Sequence, residues 1–180
     1  MVVPLVTGFV LSATAVFAAV WALGDLVRGT SIPRWVLPLA LALCAAADFV
    51  FPRVRFPMLR RQTPKHLVGR FHPALGGFLW GLDTGSVVST FRATAASWAA
   101  LVLVAAGWSP AWSGLVYAAA FCFPLATAVL SPDLRPVPLA LPDGARLSAQ
   151  LTRVAPRIRA ASGLVLLVAT AVASIHSAHV

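Results

Sequence analysis

The chain has 180 residues, 59% of them hydrophobic and 11% charged, and a mean hydropathy of +0.87. A soluble domain carries about 25% charged residues, so this composition excludes an ordinary cytosolic globule, a disordered tail and a disulfide-rich secreted domain. Thirteen Arg, one Lys and five Asp, with no Glu, give +9, but the basic residues lie between apolar runs, as membrane topology places them, and not on a polar face of the kind a nucleic acid contacts.

The expected fold is all-α: one integral membrane domain, a polytopic transmembrane bundle of about five spans. Residues 2–23 form the first. Only the terminal amine is charged before Asp25, and the run is too long for the core of a signal peptide, so it reads as retained. Trp21 suits an interface anchor. A link with Asp25, Arg28 and Arg34 follows, and Pro33 suits the start of the second span, 35–51. Asp48 falls in its last turn, close in sequence to Arg53 and Arg55, and an interfacial ion pair is expected. Pro52 ends the span.

Residues 53–72 hold six basic and no acidic side chains, a charge of +6. Pro57 and Pro64 argue against one continuous helix. The positive-inside rule makes this a cytoplasmic loop, in contact with anionic lipid headgroups. Residues 74–107 are apolar but interrupted by polar groups. Two crossings need about 40 apolar residues and a turn, whereas 34 are present. One long broken pass also leaves both basic loops on one side. A short turn with Trp108 and Trp112 leads to span 114–130, where Pro124 predicts a kink. Residues 131–159 carry five Arg and two Asp, giving +3, with five Pro, and are expected to be a mostly irregular cytoplasmic loop. The last span is 160–174. The N-terminus is then inside and the C-terminus outside a bacterial inner membrane.

The broken pass is the functional candidate. Gly76, Gly77, Gly81 and Gly85 cluster within it, and Gly81 and Gly85 are the expected helix break. Asp83, Thr84, Ser86, Ser89, Thr90 and Arg92 are the candidate lining of a substrate or ion path, because ionisable groups at membrane depth are costly and functional by default. Asp83 and Arg92 are nine positions apart, on opposite faces of a straight helix, and meet only if the helix unwinds. The competing reading is structural: glycines pack helices, Asp83 caps locally and Arg92 snorkels. Asp83-Thr84-Gly85 spells the aspartic-protease triplet, but that chemistry needs two facing aspartates and only one triplet is present.

Cys44 and Cys122 lie in apolar segments without a CxxC or zinc-ligand spacing. They read as small hydrophobes, or alternatively as a redox pair. His176 and His179 fit a frayed tail. With no P-loop, dinucleotide fingerprint or Ser-His-Asp arrangement, no metal, cofactor or enzymatic activity is expected.

Several stretches carry a family likeness: GFVLSATAVFAAVWALGDLV (8–27), RWVLPLALALCAAADF (34–49), GGFLWGLDTGSVVSTF (76–91), GLVYAAAFCFPLATAVL (114–130) and RIRAASGLVLLVATAVA (157–173). Together the arrangement resembles the CcdA/DsbD family of transmembrane thiol–disulfide electron carriers, related in fold to small exporters of the LysE type. The resemblance implies a broken helix at 76–91. The family's first helix has no counterpart here, and Gly85 or Ser86 stands where the broken helix would carry its redox Cys. It therefore implies a fold relative without the dithiol chemistry.

The expected function is that of a transporter-like membrane protein moving a small solute or ion past the broken helix. The alternatives are a thiol-redox accessory protein using Cys44 and Cys122, and a non-transporting assembly subunit that docks through its glycine face. Five spans make a thin wall, so a homodimer or a membrane partner subunit is expected.

Overall fold

The computed structural model describes residues 2–29, 33, 35–49, 71–87, 94–130 and 143–179. Among these the chain is all-helical: α1 (Val2–Arg28), α2 (Val36–Phe49), α3 (Pro73–Gly85), α4 (Ala96–Ala105), α5 (Ser113–Leu130) and α6 (Asp143–His179). Among the described residues two stretches are long and apolar enough to cross a membrane, Val2–Arg28 and, within α6, Ala155–Ser177.

The helix ends follow local chemistry. α1 continues beyond residue 23 to Arg28, where Arg28 Nη2 donates to Asp25 Oδ1 at 2.9 Å one turn back. A cation in the last turn also suits the helix dipole. α3 opens with Pro73 at its first position, preceded by His72, whose Nδ1 accepts from Ala74 N–H at 3.4 Å. α4 stops at Gly107, which takes φ +78°, a conformation that glycine adopts without strain. Trp108 N–H then donates to Leu103 O at 3.0 Å and Gly107 N–H to Val104 O at 3.1 Å, the paired bonds of a Schellman ending.

One expected loop is instead helix. Residues 143–159, read from the sequence as mostly irregular, belong to α6, which runs through Pro156. Ala, Leu, Gln and Arg dominate this stretch, and these are strong helix formers. Residues 131–142 and the basic segment 51–70 lie outside the described residues.

α1 is the hub. Gly81 of α3 meets the backbone of Leu5 and Phe9, and Gly85 meets Phe9 and Ser12, so α3 runs parallel to the first half of α1. α4 runs parallel to its second half: Phe17, Leu101 and Val104 share a core with Val20 packed on it, and Gly24 meets Ala105. The two short helices therefore lie end to end beside one 27-residue helix, about 40 Å long at 1.5 Å per residue. α5 runs antiparallel to α1, with the Phe121 ring 4.5 Å from Phe9 and the Tyr117 ring 5.3 Å from Phe17. α2 and α6 form a second antiparallel pair, in which Phe49 covers Gly163 and Leu41 and Ala45 share a core with Leu166 and Ala173. α4 packs between the two groups, contributing Ala99 to this core.

Candidate functional site

The site lies where α3 gives way to α4, halfway along α1. α3 remains helical through Gly81 and ends at Gly85, with Ser86 as its C-cap. Gly81 is thus a close-approach position and not the expected break. A Cβ there would collide with the Leu5 carbonyl oxygen. The chain turns instead at Val87, which is fully buried and takes φ +63°. A β-branched side chain in the left-handed region costs of order 1–3 kcal/mol and persists only where its surroundings impose it.

The predicted polar residues divide. Thr84 Oγ1 donates to Trp80 O at 2.8 Å and Ser86 Oγ donates to Asp83 O at 2.8 Å. Both hydroxyls therefore bond back onto their own helix. Asp83 is half-buried at the end of α3. Ser89, Thr90 and Arg92 lie outside the described residues.

A residue that the sequence reading placed elsewhere holds the other side of the interruption. Asp48 is 6% exposed. Its Oδ1 accepts from Ala95 N–H at 2.9 Å, at the start of α4, and its Oδ2 accepts from the Ser162 hydroxyl of α6 at 2.6 Å. Ala95, the N-cap position of α4, has no side-chain cap of its own. A carboxylate borrowed from α2 fills the place that Asp, Ser or Asn takes locally in most helices, and it faces the positive end of the helix dipole. Arg53 and Arg55, its expected ion-pair partners, are outside the described residues.

More polar groups lie around this level. Ser97 Oγ and Tyr117 Oη are 3.3 Å apart, bridging α4 and α5. Thr14 Oγ1 and Trp98 Nε1 are buried without a hydrogen-bond partner among the described residues. Buried and part-buried polar atoms thus come from α1, α2, α4, α5 and α6, inside a molecule with many exposed large apolar side chains.

The two cysteines are not brought together. Cys44 belongs to the core shared by α2, α4 and α6, and Cys122 to the core between α1 and α5; both are free and buried. His176 stacks edge-on against Trp108 with ring centroids 5.1 Å apart. Among the described residues no group of three or more His, Cys, Asp or Glu is placed to hold a metal ion. No protein family, curated protein or solved structure matches this chain.

Proposed function

We propose that the chain crosses a membrane five times and that its third pass, α3 followed by α4, carries a mid-depth site past which a small solute or ion moves. The observation that carries this reading is the end-to-end placement of α3 and α4 along α1, with Asp48, Ser97 and Tyr117 gathered where they meet. Interrupted helices in membranes are tolerated where they line a cavity or lie inside protein, and transporters bind cargo at such places.

The membrane setting has its own support. In the most apolar window of α1 only 22% of residues are buried inside the fold, and in that of α6 only 17%. Core helices of soluble proteins are mostly buried, and soluble monomers avoid large exposed apolar patches. On α6, Leu164, Val165 and Val168 are 59%, 68% and 65% exposed, as lipid-facing side chains would be. The assembly-subunit alternative gains less, because Gly8, Gly81 and Gly85 are already occupied in seating α3 on α1. The redox alternative gains least, since Cys44 and Cys122 sit in separate cores.

Accessibility of the interruption tests the proposal. In a chain carrying Cys44→Ala and Cys122→Ala, Ser86→Cys should react with a small charged thiol reagent applied to sealed vesicles from at least one face. A thiol that stays unreactive from both faces yet reacts in denaturant would mean a dry, purely structural break, and the transport reading would fall.

A further inference from the structure

At the end of the molecule where α1, α4 and α6 finish and α2 begins, a cleft of ≈ 770 Å³ opens between the four helices. Small-molecule sites span about 300–1,000 Å³. Its walls are apolar, with Val20 and Leu23 from α1, Leu37 and Ala40 from α2 and Val102 from α4; its charged and aromatic groups are Arg28, Trp108 and His176. Trp21, Trp35, Trp108 and Trp112 all lie at this end and are 36%, 61%, 42% and 60% exposed. Such a tryptophan belt marks the headgroup level of a bilayer, which sets the apolar walls at acyl-chain depth and Arg28 at the headgroups.

Arg28 is positioned with donors to spare. Its Nη1 donates to Ala105 O at 2.8 Å and Val104 O at 3.4 Å, and its Nη2 donates to Asp25 Oδ1 at 2.9 Å. A guanidinium carries five N–H groups, so Nε–H and one Nη2–H have no partner among the described residues. The Asp25 side chain is 62% exposed, which leaves its second oxygen open to a donor. Arg28 thus stands in the cleft wall, and Asp25, outside the wall, lies beside its guanidinium at 2.9 Å.

We propose that this cleft seats an acyl chain of a zwitterionic phospholipid with a primary ammonium headgroup, its phosphate on the remaining Arg28 N–H groups and its ammonium on Asp25. Both contacts are charge-assisted hydrogen bonds. A choline headgroup has no N–H to give Asp25, and an anionic glycerol headgroup brings it no cation. The inference rests on the membrane reading above and is independent of transport.

The full chain, reconstituted in nanodiscs of equal parts phosphatidylethanolamine, phosphatidylglycerol and phosphatidylcholine, is released into native mass spectrometry and its retained lipid identified. One retained ethanolamine lipid per chain is expected. Ala40→Trp, which fills the slot, should abolish retention. Asp25→Asn, an exposed change that leaves the fold intact, should move the preference toward the glycerol lipid. Equal retention of the three lipids, unchanged retention in Ala40→Trp, or a lipid-free dimer with a second copy over the cleft would overturn the proposal. An alkaline wash of native membranes separates the two failures. A chain released by the wash refutes the membrane reading itself, whereas a chain that stays embedded but retains no lipid refutes only the lipid site.

Discussion

At the scale of single residues, Asp48 acts through partners 47 and 114 positions away in sequence. Replacing it with Ala leaves the buried Ala95 N–H without an acceptor, a loss of about 1–3 kcal/mol, and removes the acceptor of the half-buried Ser162 hydroxyl. Asn retains one carbonyl oxygen for Ala95 N–H and should lose much less. Thermal unfolding in detergent should therefore rank the parent above Asp48→Asn and Asp48→Ala last; identical midpoints for parent and Ala variant would mean that the carboxylate holds nothing together. Sequence spacing directed attention to Arg53 and Arg55 because it registers only near neighbours, and a cap donated by another helix leaves no local signature. Val87 was hidden for a related reason. The left-handed position after a helix is normally signalled by glycine, and here a buried valine occupies it.

At the scale of elements, the α1–α3 seam brings two backbones together and its basis was legible. The glycines clustered after residue 75 announced a close approach, and Gly81 and Gly85 make it against α1 from one side while Gly8 makes it from the other. The position of the break was less legible, because a glycine that receives a neighbouring backbone and a glycine that unwinds a helix look alike in sequence. Even Gly81→Ala puts a methyl group into the Leu5 carbonyl and must push α1 and α3 apart, a strain of about 1–3 kcal/mol. Gly29 is the control, since its nearest contact for an added Cβ is Leu26 O at 3.9 Å. Gly81→Ala should lower the unfolding midpoint while Gly29→Ala should not; equal midpoints would deny backbone contact between the two helices. The start of α6 is hidden in the sequence for the opposite reason. The prolines of 131–159 signal a loop, yet Ala, Leu, Gln and Arg favour helix over 143–159, and a single Pro156 does not stop a helix 37 residues long.

At the scale of the whole molecule, helix directions and charge bear on the proposed five-pass topology. Phe9, Ala13 and Phe17 of α1 anchor two of the cores. α2 runs antiparallel to α4, as Asp48 meets Ala95 at one end and Leu37 and Val102 line the same cleft near the other. The helix ends that flank residues 50–72 and the end of α5 that leads into 131–142 therefore point toward the N-terminal end of α1, and these flanked segments hold seven of the 14 Lys and Arg residues. A cytoplasmic N-terminal end satisfies the positive-inside rule for both at once. In the proposed topology α3 and α4 form one pass, with the turn at residues 106–112 on the far side. In a cysteine-free background, Pro110→Cys should label with an impermeant maleimide added outside intact cells. His72→Cys, exposed just before α3, should label only after permeabilisation. If both positions label from the same side, an even number of crossings lies between them. Residues 86–95 would then be a hairpin tip and not an interruption, and the path assigned to Ser86 and Asp48 would have no pass to run through.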